Sequence, residues 1–282
     1  MIRPAGLSRT IRTSTPYRAV RRRLSVSPLC YRALAAALGN PCLARADTGL
    51  VVEGFPRSGN SFAEAAFDLV ADGGLAIASH THAAAQIIAA VRRGIPAIVV
   101  YRAPVDAVAS LTDYYAPHAD ADDLFRDYAA FHRAVLGVAD GVVFAPFARV
   151  LADFPSIVAE ANRHFGLALP VPVADAAFLA AVEVRRDRLS EARVGRPPSY
   201  SEALAPSART ARAARVAALR ASLYADDSPP KREAVALHTR LDAIVAARRA
   251  GDALTPRAPS PTRPARSGAP PQGGAAWARA PR

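Results

Sequence analysis

Lysine is nearly missing from this chain. Lys231 is the only one among 36 basic residues, and the rest are arginines. Such a bias is what GC-rich coding produces and points to a bacterial source. Cysteine is scarce as well. Cys30 and Cys42 are the only two, and no histidine lies near them in sequence, which excludes a structural zinc site built on thiols. Nothing supports a disulfide between them. No apolar run reaches the ~18–20 residues that cross a bilayer. The mildly apolar stretch from Leu29 to Leu43 carries Arg32, which makes it a poor signal core, and the Arg/Ser-rich start is only faintly transit-like. The expectation is a soluble, cytoplasmic protein.

Acidic residues are missing from both ends. Residues 1–47 hold nine arginines and one acid, Asp47, and residues 255–282 hold five arginines and none. The two flanks therefore account for the net charge of +12, and the middle of the chain is close to neutral. A basic groove on a folded domain is not implied, so no specific nucleic-acid partner is expected. Arg/Pro/Ala/Ser-rich flanks bury little. Residues 1–47 read as a basic extension, disordered or partly helical, and residues 255–282 as a disordered Pro/Arg-rich tail.

Between them, residues 48–254 carry one domain. Strands and helices alternate from residue 49. Leu50–Phe55 reads as a buried strand, and Asn60–Ala71 as a helix with Phe62, Ala65, Ala66 and Leu69 on one face. Leu75–Ser79 is a second strand, Ala83–Arg93 a helix, and Ala97–Tyr101 the clearest strand of all. Helices follow at Pro104–Tyr115 and Asp122–Ala139, then a strand at Val142–Ala145 and a helix at Pro155–Phe165. From about 174 to 254 the pattern is helical, broken near Gly195 and at Ser228-Pro229-Pro230. The alternation predicts an α/β fold, a parallel sheet with helices on both faces and ligands at the carboxyl ends of its strands.

Two segments at such ends carry chemistry. Gly54-Phe55-Pro56-Arg57-Ser58-Gly59-Asn60-Ser61 joins a strand to a helix through two glycines, the layout that aims backbone N–H groups and a helix dipole at an anion. It nearly matches G-x-x-x-x-G-K-[ST], with Asn60 in place of the lysine on which ordinary ATP or GTP hydrolysis relies. The only nearby cation is Arg57. The second segment is Tyr101-Arg102-Ala103-Pro104-Val105-Asp106, leading to Ser110. A guanidinium at a strand end and a hydroxyl two helical turns on suit a second phosphate.

Together these segments resemble the sulfotransferases that use 3′-phosphoadenosine 5′-phosphosulfate (PAPS). Phe55 to Phe62 resembles that family's 5′-phosphosulfate loop, P-[KR]-S-G-T-[ST] with a following aromatic. Arg102 to Ser110 resembles its 3′-phosphate motif, R-x-P-x-D-x-x-x-S. Ile77-Ala78-Ser79-His80 resembles the strand that delivers the catalytic histidine, and Val142–Phe147 with Pro155–Gly166 the strand and helix that follow. The likeness spans roughly residues 49–166. It implies a P-loop NTPase-like three-layer fold with a helical C-terminal part, and PAPS as co-substrate without a metal. Arg57 would meet the sulfate. Backbone N–H groups of Ser58, Gly59, Asn60 and Ser61, with the side chains of the last two, would hold the 5′-phosphate, and Arg102 and Ser110 the 3′-phosphate. His80 would be the general base, with His82 and Glu64 as alternatives. His80 and His82 would face the same side if the segment is extended. Arg193-Val194-Gly195-Arg196 keeps the Arg-x-Gly core of the family's adenosine-closing loop. The acceptor, a small molecule, glycan or peptide, is not readable; Tyr114, Tyr115, Phe125, Tyr128 and Phe131 are candidates for its pocket or for the core. A kinase-like phosphotransferase and a non-catalytic nucleotide binder are the alternatives.

Overall fold

A computed structural model describes residues 11, 14–37, 39–40, 42–115, 119–195 and 205–254. Residues 1–10, 196–204 and 255–282 lie outside the described residues, and with them the tail and the end of the Arg-x-Gly segment. Four strands, β1 (Leu50–Gly54), β2 (Ile77–Ser79), β3 (Ala97–Tyr101) and β4 (Val143–Pro146), form one all-parallel sheet in the order β2-β1-β3-β4. β1 and β3 are buried along their whole length, as central parallel strands are; β3 is apolar throughout, while β1 carries one acid, Glu53.

The helices cover both faces. α3 (Asn60–Val70) connects β1 to β2 on one face; α4 (Ala84–Arg92) crosses back to β3 on the other. Successive residues of β3 feed opposite cores. Ile98 and Val100 pack with Phe62, Phe67, Phe154 and Ile157, while Val99 and Tyr101 pack with Ile87, Leu124, Phe125 and Tyr128. Each such large side chain, buried, contributes roughly 1.5–3 kcal/mol. α5 (Pro104–Tyr115), α6 (Ala121–Leu136), α7 (Phe147–Ala152) and α8 (Phe154–Phe165) complete this part. The long C-terminal region folds as α9 (Ala176–Val194), α10 (Pro206–Ala225) and α11 (Pro229–Leu254). α11 seals one core with Ala234, Leu241 and Val245, and its Asp242 Oδ1 accepts the Tyr101 hydroxyl at 2.8 Å.

The arginine-rich extension is helical over residues 15–26 and 28–37. α1 (Thr15–Val26) and α2 (Pro28–Ala37) lie against the domain. Arg18 is buried in an ion pair with Asp127 of α6, and Arg22 Nε donates to the same carboxylate at 2.7 Å. Tyr31 and Ala35 of α2 pack on Ala83 and Ala85 beside α4. Disorder therefore does not describe residues 15–37; partners a hundred positions away supply what composition withholds.

Chain direction creates a crevice. After β1 the chain leaves toward β2, and after β3 it leaves toward β4, so the two outgoing segments part at neighbouring strand tips. Asp127→Ala leaves Arg18 buried without its main partner. A loss of about 3 kcal/mol or more in chemical denaturation is expected; an unchanged unfolding midpoint would contradict the described docking of α1.

Candidate functional site

Gly54 ends β1 against its neighbour. A β-carbon there would stand 2.1 Å from the Val100 carbonyl oxygen and 2.6 Å from Asn60 Oδ1, so only glycine fits. Gly59 closes the turn at φ 101°, a left-handed angle, and a β-carbon on it would meet the Phe147 ring at 2.6 Å. Arg57 is also left-handed, at φ 69°. Phe62 N and Ala63 N both donate to Gly59 O at 3.1 Å. The N–H groups of Asn60 and Ser61, in the first turn of α3, have no acceptor within their own helix.

The strand-end pair meets this turn directly. Arg57 Nε donates to Ser110 Oγ at 3.0 Å, and Arg102 Nη1 donates to the Arg57 carbonyl at 3.3 Å. Arg102 lies over the Phe147 ring, with its guanidinium carbon 4.5 Å from the centroid, while its own carbonyl takes the Tyr128 hydroxyl at 2.8 Å. Burial lowers the Arg102 pKa, with Arg220 and Arg212 adding to that effect against Asp106. Arg102 Nε and the fully buried Ser58 Oγ have no hydrogen-bond partner among the described residues. Arg57, Arg102 and Ser110 are thus joined by hydrogen bonds, with Ser58 the next residue of the turn.

Asn60 is placed differently from the expectation. Its amide nitrogen donates to Gly54 O at 3.0 Å and lies 3.0 Å from His82 Nδ1, so its side-chain donor is turned inward. Its backbone N–H is the donor left without an acceptor in its own helix. Ser61, next on the helix, is half-buried.

The histidines sit on a turn held by a carboxylate that sequence reading missed. Glu53, fully buried in β1, accepts Thr81 N at 2.7 Å, Thr81 Oγ1 at 2.6 Å and Gln86 Nε2 at 3.0 Å on one oxygen, and His82 N at 3.0 Å on the other. Burial pushes its pKa up, while the Thr81 hydrogen bonds oppose that. The signal was present: an acid between Val52 and Gly54 in a strand with no exposed face needs partners. These bonds hold His80 and His82 at φ 65° and 52°, left-handed angles that cost a non-glycine residue about 1–3 kcal/mol. The segment is therefore not extended, and the two rings stand edge to face with centroids 5.5 Å apart.

His80 Nε2 lies 3.0 Å from Glu64 Oε2. Glu64 is 7% exposed, so it is not a solvated helix-face acid. Burial disfavours its charge, but His80 and Arg193 outweigh that and hold its pKa below the ordinary carboxylate range. An Nε2–H donated to this carboxylate makes Nδ1 the basic atom of a neutral His80 ring. His82 Nδ1 lies 2.9 Å from Gly54 O; burial first, then His80, hold its pKa well below the ordinary value, so its ring is neutral and locked into the turn.

Arg193 corrects a further expectation. Its Nη2 contacts Glu64 Oε1 and Oε2 at 2.6 and 2.7 Å, on the histidine side of the site. Gly195 is the left-handed cap of α9, its N–H donating to Glu191 O at 2.7 Å. The helix runs through Val194, so these two residues cap and brace rather than form an open loop. Of the aromatic candidates, Phe125, Tyr128 and Phe131 are core, while Tyr114 lies under the Arg57 guanidinium at 5.8 Å. Sequence reading also missed Arg212 of α10, whose Nη2 donates to Ser110 Oγ at 3.0 Å.

Among the described residues no group of three or more His, Cys, Asp or Glu could hold a metal, and no helix is long and apolar enough to cross a membrane. Glu53→Gln replaces an acceptor-only group facing four donors by one that carries two donors of its own. It should cost roughly 2 kcal/mol or more in urea unfolding at neutral pH; an unchanged midpoint would mean that Glu53 does not hold the histidine turn.

No family model matches the chain, and no curated protein or solved structure matches it.

Proposed function

We propose that this chain is a sulfotransferase of P-loop type, moving the sulfuryl group of PAPS to a hydroxyl or amine. The observation that carries the reading is the join between the two donor sets. Arg102 rests on the carbonyl of Arg57, and Arg57 reaches Ser110, so the glycine turn and the strand-end pair line one crevice. A ligand with two separated phosphates is the natural partner of that arrangement, and a 3′-phosphate is what separates this donor from ATP.

In the reaction the acceptor oxygen or nitrogen attacks sulfur. The bond from sulfur to the bridging phosphate oxygen breaks, and adenosine 3′,5′-bisphosphate leaves. The protein aligns the partners and neutralises charge. Backbone N–H groups at the start of α3 hold the 5′-phosphate, and Arg57 offsets the charge that grows on the bridging oxygen. Arg102 and Ser110 hold the 3′-phosphate. His80 takes the acceptor's proton on Nδ1, and the Glu64 carboxylate steadies the imidazolium that forms. Arg193 keeps Glu64 ionised. His82 is spoken for by the Gly54 turn, and Glu64 acts through His80, so His80 is the base of choice. An ATP-dependent phosphotransferase is the weaker reading, because the amide of Asn60 is turned toward Gly54 where such enzymes place a lysine.

Adenosine 3′,5′-bisphosphate at millimolar concentration should raise the melting temperature by several degrees, and more than Mg-ATP does. The His80→Ala variant should keep that shift and lose sulfuryl transfer from labelled PAPS. An absent shift, or a larger one with Mg-ATP, would contradict the reading.

A further inference from the structure

Ser110 is the meeting point of two guanidiniums from distant parts of the chain. Its hydroxyl is 3% exposed, and it takes Arg57 Nε and Arg212 Nη2, each at 3.0 Å. A hydroxyl oxygen has two lone pairs, so both are used and its O–H is left to donate. Arg212 also lies 3.3 Å from Asp113, an ion pair weaker in geometry than its contact with Ser110. Arg102 completes the group from the strand end; Arg212 and Arg220 are close enough to press on its charge.

No residue of α10 is fully buried. Val216, Leu219 and Leu223 are half-buried, and Leu223 packs against the core. Charge adds to this seating: Arg212 and Arg215 pair with Asp113, and Arg220 Nε with Asp106 Oδ1 at 2.6 Å. Pairs as exposed as those of Arg215 and Arg220 hold little by themselves. Arg212 is the half-buried one of the three, one turn before Val216, so the helix seats its guanidinium inward at Ser110.

We propose that Arg212 is a third ligand of the phosphate held by Arg102 and Ser110, and that this subsite selects a terminal phosphate monoester. Three donors, from a strand end, the α5 hydroxyl and the α10 guanidinium, surround that group from separate directions. A nucleotide with a second phosphate monoester, besides the one seated at the glycine turn, meets all three; 5′-AMP, whose single monoester is taken by that turn, meets none. Arg212 thereby joins Arg102 and Ser110, the two residues that the sequence pattern had assigned to this phosphate. The identification of this phosphate as the 3′-phosphate of PAPS rests on the proposed function; the role of Arg212 does not.

Calorimetric titrations of the full chain with adenosine 3′,5′-bisphosphate, 5′-AMP and inorganic phosphate test the inference. Arg212→Ala should weaken adenosine 3′,5′-bisphosphate roughly 10- to 100-fold, as expected for a charge-assisted contact, and leave 5′-AMP unchanged. Arg212→Lys, which keeps charge but loses the fork, should fall between. Arg133→Ala, which removes an equal charge from the exposed pair with Glu233, should match wild type and so exclude a net-charge effect. Unchanged bisphosphate binding in Arg212→Ala, or equal loss of both nucleotides, would overturn the inference. If wild type binds neither nucleotide, the sulfotransferase reading fails, and inorganic phosphate decides for Arg212. Weaker phosphate binding in Arg212→Ala than in Arg133→Ala supports the inference, and equal or absent binding overturns it.

Discussion

The close approach of the Gly54 backbone to the Val100 carbonyl underlies the rest of the site. With no side chain at position 54, the turn after β1 folds down between two strand tips instead of standing off them. Asn60 can then reach back to Gly54 O, α3 starts close to the tip of β1, and the Arg57 carbonyl comes within reach of Arg102. A methyl group at this one position would push against a fixed carbonyl and an amide together. The switch in strand order opens the crevice, and the missing side chain lets the turn line it.

A second constraint works on the opposite side of β1. Glu53 is fully buried, and its four donors come from the turn after β2 and from α4. The energy of those bonds offsets two left-handed histidines. Gln86, which serves Glu53, also accepts Ala44 N at 3.0 Å and donates to Cys42 O at 3.1 Å. The arginine-rich extension is thereby tied to the same polar centre as the histidine turn. Charge placed in the core of β1 is costly on its own; here it organises three elements around the end of a strand.

The sheet was legible in the sequence because its strands are short apolar runs closed by glycine or proline, and Ala97–Tyr101 and Pro104–Tyr115 fall where their pattern puts them. Arg57 and Arg102 stood out in the sequence because they follow those strand ends within three positions, and Ser110 because it lies two helical turns on. α7 was not, since six residues after a strand carry no helical period of their own. α1 was hidden by composition: arginine-rich segments ordinarily stay open, and Asp127, which anchors Arg18, is 109 positions away. Arg212 was hidden for the same reason, 102 positions from Ser110 on a helix with no fully buried residue. Arg193 was misread because a local Arg-x-Gly pattern looks the same in a loop and at a helix cap. Contacts made across the fold, rather than along it, separated what could be read from what could not.

A crystal structure with adenosine 3′,5′-bisphosphate is the most direct measurement. One phosphate should lie within hydrogen-bond distance of Arg102 and Ser110, and the other against the N–H groups of Asn60 and Ser61. A nucleotide found with the Arg102 guanidinium untouched, or seated away from the Gly54–Ser61 turn, would contradict the idea that the two donor sets grip one molecule.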